Sequence, residues 1–180
     1  MSQIGSRSLV PTPVGRVPGL REPIVGPNLV LEPAPREQVL AFLAGDFSTV
    51  RPGSGWPVPE TTPGSPPWRV SIKHDVEINW LIVLDGLVIG DCFTHGGADD
   101  AGDIEIGYAL AEPYRRRGYG TELVRALSDW LFEHEGIERV VARNLDAANV
   151  ASRRTLERVG FKLEREHGDL ASYALERPRK

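Results

Sequence analysis

The fold of this chain is decided by two neighbouring stretches, DIEIGYAL at residues 103–110 and RRRGYGTE at residues 115–122. In the first stretch every second residue is apolar or aromatic, which is the pattern of a β-strand. These alternating residues are Ile104, Ile106 and Tyr108. After the second stretch, apolar residues recur at the spacing of one helix face, namely Leu123, Leu127, Trp130 and Leu131. The pattern therefore predicts a strand that turns into a helix over about residues 119–134, ended by Gly136.

The turn between this strand and helix has the composition of an anion site. Gly118 and Gly120 let the backbone approach a ligand closely, because no Cβ stands in the way. The free N–H groups of the first helical turn, together with the helix dipole, favour a phosphate or a pyrophosphate. Three arginines, Arg115, Arg116 and Arg117, add positive charge at the same point. The simpler interpretation is a plain turn with a solvated arginine face.

Two common nucleotide-binding motifs do not match this turn. A P-loop requires a Gly-Lys-Ser/Thr ending, and the turn has none. A dinucleotide fingerprint requires three glycines at fixed spacing, and only two are present.

Working outward, the remaining signals predict a mixed α/β domain over residues 28–177. Residues 1–27 are rich in Pro and Gly and are expected to form an extended arm. Residues 51–68 are expected to form a long loop. Predicted strands are 29–31, 78–84, 87–93, 139–142, 161–164 and 170–175, with tight turns at Asp85-Gly86 and Gly168-Asp169. One further helix is predicted with Val39, Leu40 and Leu43 on its apolar face, and it ends at Gly45. Another helix is predicted at residues 149–158.

The bulk composition limits the classes of partner. The 180 residues carry a formal net charge of −4, so there is no electrostatic reason to expect nucleic acid. No apolar run approaches the roughly 20 residues of a membrane span, and no signal peptide is evident. The single cysteine, Cys92, excludes an intrachain disulfide. These features predict a cytoplasmic protein.

Two ordered blocks resemble one family. The first is EIGYAL followed by RRRGYGTE, and the second is NVASRRTLERVGF at residues 149–161. Together they resemble the acetyl-CoA motif and the following helix of GNAT N-acetyltransferases, over about residues 29–175. The sequence motifs EIGY and LERVGF are most similar to those of the branch that includes ribosomal-protein N-terminal acetyltransferases. The resemblance implies a mostly antiparallel central sheet, flanked by helices, in which the strands at 105–110 and 139–142 form one splayed parallel pair.

The resemblance also implies a binding mode for acetyl-CoA, used as co-substrate without a metal. The pantetheine arm would pair with the backbone of residues 108–110, and the pyrophosphate would lie on the N–H groups of residues 116–121. Asn149 would bond the pantetheine arm with Ser152 nearby, although Asn149 is equally suited to be a helix N-cap. The implied cofactor residues are Tyr108, Ala109, Leu110, Arg115, Arg116, Arg117, Gly118, Tyr119, Gly120, Thr121, Asn149 and Ser152.

Glu105 is the candidate general base for acetyl transfer. It lies just before the cofactor turn and faces opposite to Ile104 and Ile106. The alternative interpretation is a carboxylate held in an ion pair or at a rim, with Asp103 and His95 as other candidate bases.

The general acid is left open. Many members of the family have a Tyr at the position of Leu156, and leucine cannot donate a proton. Ser152, Tyr173, solvent or no acid at all remain as alternatives. Cys92 could in principle carry a covalent acetyl group, but a buried structural thiol is favoured.

The sequence predicts an N-acetyltransferase whose acceptor is a primary amine of a small molecule or a peptide. Trp56 and Trp68 could cover the acceptor site, whereas Trp80 is assigned to the core. The alternatives are an inactive acyl-CoA-binding module or sensor and a nucleotide-binding regulator. A homodimer is left open, and neither nucleic acid nor a membrane is expected as a partner.

Overall fold

The computed structural model describes residues 22–58 and 78–179. The strands within these ranges are β1 (Ile24–Val25), β2 (Val30–Pro33), β3 (Ile78–Leu84), β4 (Leu87–Thr94), β5 (Asp103–Leu110), β6 (Arg139–Asp146), β7 (Lys162–His167) and β8 (Leu170–Glu176). The helices are α1 (Arg36–Leu43), α2 (Tyr119–Phe132) and α3 (Val150–Val159), and a 3₁₀ turn lies at Glu112–Tyr114. None of the helices in the described ranges is long and apolar enough to cross a bilayer.

All eight strands belong to one sheet, in the order β1-β2-β3-β4-β5-β6-β8-β7. Every neighbouring pair is antiparallel except β5 and β6, which run parallel. The β3–β4 hairpin turns at Asp85 and Gly86, both with positive φ, as the sequence predicts. The predicted mixed α/β fold with one parallel pair in a mostly antiparallel sheet is confirmed.

Helices cover both faces of this sheet. On one face α2 and α3 pack against the apolar side of β5, where Ile104 and Ile106 lie with Leu123 and Leu127. On the other face α1 and the segment around Trp56 pack on β3 and β4. β5 is therefore covered on one side by the helix that follows it.

Several predicted details differ from the structure. The described helix α1 buries Val39 and Phe42, whereas Leu40, predicted on its apolar face, is 45% exposed. The reason is tertiary packing, because the Phe42 ring contacts Phe47 and Trp56 in the buried cluster that also contains Val39. Ile24–Val25, within the predicted arm, pairs with β2. Residues 1–21 and most of the predicted loop, including Trp68, lie outside the described residues.

The two ends of the sheet differ in character. β1, at one end, has only two residues. β7, at the other end, has the sequence KLEREH, and all six of its residues are exposed. Its charges are partly paired across the sheet, since Glu164 bonds Arg139 and Glu166 bonds Arg153.

A carboxylate in the first turn of α2 ties the β1–β2 turn to this helix. Glu122 accepts hydrogen bonds from the backbone N–H of Asn28 at 2.6 Å and of Leu29 at 2.8 Å, and from the Asn28 side chain at 2.9 Å. Partial burial would raise the pKa of Glu122, but the hydrogen bonds from Asn28 and Leu29 outweigh it and lower the pKa. The charged form of Glu122 is therefore the one that the fold stabilises.

Glu122→Gln should lower the free energy of unfolding by about 1 kcal/mol at neutral pH, because hydrogen bonds to a charged acceptor are lost. Since the pKa of Glu122 is lowered in the folded state, its contribution is present above the unfolded-state pKa of 4.5 and disappears as pH falls below it. Urea unfolding at several pH values would measure this, with Glu135→Gln as an exposed control. A difference between wild type and variant that persists unchanged in acid would contradict the prediction.

Candidate active site

The parallel pair opens part-way along its length. Its ladder joins Asp103 to Arg139, Ile104 to Val140 and Glu105 to Val141, and ends there. β5 continues to Leu110 in contact with β4, while β6 continues to Asp146 in contact with β8. The two strands therefore separate after Glu105, and beyond this point one edge of β5 has no strand partner among the described residues.

The backbone groups on this open edge can be identified. The carbonyl oxygen of Glu105 and the N–H of Ala111 bond toward β4. Because backbone groups of a strand alternate between its two edges, those of Ile106 and Tyr108 point to the open side. The same alternation turns the backbone of Ala109 toward β4, so the implied pairing of the pantetheine arm with residues 108–110 is wrong for Ala109. These open N–H and C=O groups can accept an extended amide chain.

The end of β5 is fixed by an arginine. The Nε of Arg115 donates a hydrogen bond of 2.7 Å to the Leu110 carbonyl oxygen. One edge of this guanidinium is therefore used inside the protein and not for a ligand. Arg116 and Arg117, which follow it, are exposed.

The turn before α2 forms a concave set of backbone N–H groups. Arg116 has a φ of 61° and Gly118 a φ of 88°, so the chain passes through the left-handed region twice. No side chain in the described part of the protein caps the helix at Gly118, and the N–H of Glu122 bonds the Gly118 carbonyl oxygen at 3.1 Å. The earlier N–H groups precede the first intrahelical bond, so they can bind an anion at the positive end of the helix dipole.

Helix α3 closes the site on the side of the open edge. Asn149 is its N-cap, and its side chain accepts a hydrogen bond from the Ser152 N–H at 3.1 Å, so the N-cap interpretation is confirmed. A Cβ built on Gly120 would lie 3.5 Å from the Thr155 hydroxyl oxygen. The first turn of α2 and the middle of α3 are therefore in contact at the anion cradle, by which we mean the turn at residues 116–121.

Tyr108 extends from β5 toward α3. Its hydroxyl is buried beside the hydroxyls of Ser152 and Thr155, but it meets no partner in hydrogen-bond geometry among the described residues. Burial raises the pKa of the Tyr108 phenol, and the two neighbouring hydroxyls offset only part of that effect. The phenol is thus a protonated donor at neutral pH.

Glu105 lies on the opposite face of β5, where the ladder ends. Its side chain is 25% exposed, and its Oε2 lies 4.0 Å from Nη1 of Arg143. The backbone N–H of His95, which directly follows β4, donates to the Glu105 carbonyl oxygen at 2.8 Å. This placement gives the carboxylate access to solvent beside the opened strands.

Asp103 differs from Glu105 because it is held in ion pairs. It is buried and receives hydrogen bonds from Arg139 at 2.7 and 2.6 Å and from Arg143 at 2.8 Å. The hydrogen bond from Arg139 is the main reason that the pKa of Asp103 is lowered. A carboxylate held in this way is a poor proton acceptor, so Glu105 is the better candidate.

A family model described as acetyltransferase (GNAT) domain matches residues 28–162. The chain belongs to the GNAT acetyltransferase family. It is also 35% identical over 85 residues to the uncharacterized N-acetyltransferase YjdG of Bacillus subtilis (strain 168), a match that covers 46% of this chain and 50% of the relative. The aligned part thus spans about half the length of that curated relative.

Solved structures share the GNAT fold over most of the chain. An acetyltransferase from Agrobacterium tumefaciens is 25% identical with a TM-score of 0.59, covering 86% of this chain and 94% of its own. The ribosomal alpha-N-protein acetyltransferase RimL, solved in complex with coenzyme A, is 19% identical with a TM-score of 0.61 and coverages of 86% and 98%.

Several residues near this GNAT site were missed by the sequence analysis. A Cβ built on Gly107 would lie 2.3 Å from the Phe93 ring, so this ring lies directly against β5 next to Glu105. Asp91 is buried in β4 opposite Ala109. The alternation along β4 could have placed both side chains on the Glu105 face, but only once the β4–β5 register was known.

Other residues that the sequence singled out are held in the core or in hydrogen bonds within the protein. Cys92 is buried, and burial raises the pKa of its thiol, so the predicted structural thiol is confirmed. Trp80 is fully buried, as predicted. Trp56 is also buried and donates a hydrogen bond to Asp91, so it packs in the core on the α1 side. The Tyr173 hydroxyl accepts from Arg153.

Proposed function

We propose that this chain is a cytoplasmic N-acetyltransferase that moves an acetyl group from acetyl-CoA to a primary amine within a ternary complex. The observation that carries this proposal is the open edge of β5 leading to an uncapped helix N-terminus. Coenzyme A matches this combination, because it has an extended arm with two amides for the open edge and a diphosphate for the helix N-terminus. The catalytic domain in this proposal comprises residues 28–177.

The residues present fit coenzyme A at two places. The backbone groups of Ile106 and Tyr108 on the open edge suit the amides of the pantetheine arm. The N–H groups of residues 116–121 suit the diphosphate, with the exposed Arg116 and Arg117 adding charge. We assign the remaining cofactor contacts to Leu110, Arg115, Thr121, Asn149 and Ser152. Acetyl-CoA supplies the acetyl group as a reactive thioester.

The residues of the chain supply two functions for the transfer. A typical amine is protonated at neutral pH, with a pKa of ~10.4, so a base must remove a proton from it before it can attack the thioester. Glu105 accepts this proton directly or through water. The backbone N–H of Tyr108 on the open edge donates to the carbonyl oxygen as negative charge develops there.

The acceptor proposed first is a protein N-terminus. RimL is by its description a ribosomal alpha-N-protein acetyltransferase, and this chain shares its fold. At 19% identity the shared fold supports only the class of reaction, so small amines belong in the same test.

The proposal is tested by measuring coenzyme A binding by calorimetry and coenzyme A release with a panel of peptide and small-molecule amines. Binding together with release in the presence of an amine is expected. Binding without turnover on any acceptor would instead favour an acyl-CoA-binding module, an alternative supported by the buried Leu156 where a proton donor is absent. Tighter binding of ATP or GTP would favour a nucleotide-binding regulator.

Gly118→Val should weaken coenzyme A binding by about tenfold to 100-fold, because a β-branched residue disfavours the left-handed backbone that orients the cradle N–H groups. The matched control is Gly136→Val, beyond the other end of α2, where φ is also positive at 81°. At both positions a Cβ would meet no atom of the described residues within 4 Å. Equal losses of affinity in the two variants would contradict the cradle assignment.

A further inference from the structure

We infer that the side chain of Tyr108 is the hydrogen-bond donor for the sulfur of coenzyme A when the thioester breaks. This inference rests on the proposed function. The Tyr108 phenol would thus contact the sulfur, whereas the Tyr108 backbone N–H contacts the carbonyl oxygen. The phenol would also provide the hydrogen-bond donor that is missing from α3 at Leu156. Three observations carry it.

The first observation is position. Tyr108 follows the last paired residue of β5, Glu105, within the part of the strand that has separated from β6. Its hydroxyl ends beside Ser152 and Thr155 on α3. The ring therefore crosses the opened space between β5 and α3. Leu156 follows Thr155 directly and is fully buried, and its side chain has no hydrogen to donate.

The second observation is the unused hydrogen-bonding capacity of the phenol. A phenol can donate one hydrogen bond and accept others. The Tyr108 hydroxyl has no partner in the described part of the chain although it is buried. An unpaired buried hydroxyl is costly, and a ligand that accepts its proton would remove that cost. The hydroxyls of Ser152 and Thr155 lie beside the phenol without meeting it in hydrogen-bond geometry, so its hydrogen is available to a ligand.

The third observation is the connection to the cradle. Thr155 lies beside both the Tyr108 hydroxyl and Gly120 of the cradle. A coenzyme A molecule bound to both the cradle and the open edge would therefore lie next to the Tyr108 phenol. This arrangement places Tyr108 between the diphosphate and the base Glu105.

The chemistry balances with Tyr108 as a hydrogen-bond donor and not as an acid. The amine forms the C–N bond, Glu105 takes its proton, and the electron pair of the breaking C–S bond stays on sulfur. Burial raises the pKa of the Tyr108 phenol above its ordinary 10.0, whereas a thiol has a pKa of about 8.5. The phenol therefore keeps its proton and stabilises the thiolate by a charge-assisted hydrogen bond.

The test compares coenzyme A with desulfo-coenzyme A, which carries hydrogen in place of the thiol. At about pH 9.5, where the free thiol is mostly ionised, wild type should bind coenzyme A more tightly than the desulfo compound. Tyr108→Phe should reduce this preference by about tenfold, and should raise the pKa of the bound thiol, followed by its ultraviolet absorbance, by about one unit. The melting temperature should not fall, because the lost hydroxyl is unpaired.

Tyr173→Phe is the matched control, because the Tyr173 hydroxyl already bonds Arg153 and Glu157. Its preference between the two compounds should equal that of wild type. The inference would be overturned if Tyr108→Phe lost affinity for both compounds equally. It would also be overturned if Tyr173→Phe, and not Tyr108→Phe, changed the preference between them. Failure of wild type to bind either compound would reject the proposed function itself.

Discussion

Glu105→Gln should lower kcat by about 10²- to 10⁴-fold, the usual contribution of a general base. Glutamine has nearly the same shape and still accepts hydrogen bonds, but it cannot take the amine proton. Because Glu105 is on the face of β5 opposite to Tyr108 and beside the end of the ladder, its side chain should not contact the cradle. The affinity for coenzyme A should therefore stay within about twofold of wild type.

Single-turnover kinetics together with calorimetry would check this expectation. Glu133→Gln is the control, since it removes an exposed carboxylate at the far end of α2. The variant should also keep its fold, because Arg143 retains its ion pairs with Asp103 and Asp99. Turnover of Glu105→Gln at the wild-type rate would remove Glu105 as the base.

Asp91→Asn should abolish a large pH dependence of stability. Asp91 is 5% exposed, its Oδ2 accepts a 3.2 Å hydrogen bond from the Trp56 indole, and its Oδ1 has no partner among the described residues. Burial raises the pKa of this carboxyl to about 7, which the hydrogen bond from Trp56 offsets only in part. The folded protein therefore holds a proton that the unfolded chain releases near 3.8.

The direction of the effect follows from this proton. Between the two pKa values the folded state binds more protons, so wild type loses stability as pH rises, and above the higher value the loss is complete. At about 1.4 kcal/mol per pKa unit, wild type should lose about 3 kcal/mol relative to Asp91→Asn between about pH 5 and pH 8. Any cost of burying the amide is independent of pH and cancels in this comparison.

Guanidinium unfolding of both proteins across this pH range would measure the difference. Asp129→Asn, an exposed change on α2, should follow the wild-type curve. Parallel curves for wild type and Asp91→Asn would show that the carboxyl is not protonated in the folded state at pH 6.

The elements around the cradle could be predicted from sequence because their signals are local. Gly118 supplies the left-handed turn, and the apolar spacing after it defines α2. Asn149 and Gly160 similarly mark the two ends of α3, which the structure places at Val150–Val159. The order of strands and helices could therefore be predicted without knowing any contact between residues distant in sequence.

The surroundings of Glu105 could not be predicted in the same way. The contact of Phe93 with Gly107 depends on the β4–β5 register, which a glycine-rich loop leaves open. The hydrogen bond from Trp56 to Asp91 joins residues 35 positions apart, across a segment without periodicity. Arg143 lies beyond the predicted end of its strand, because β6 continues through an irregular step to Asp146. Contacts between side chains that are distant in sequence depend on the tertiary fold and leave no recognisable pattern in the local sequence.

The contrast between the two edges of the sheet bears on how this protein behaves when concentrated. A bare strand edge is a template on which another chain can add, the first step toward fibrillar aggregates. Within the described residues, the edge strand β1 is too short to serve as such a template. At the other edge, an incoming strand would meet the charges of Lys162, Glu164 and Arg165 on β7. Growth of the sheet from molecule to molecule is thereby opposed at both ends.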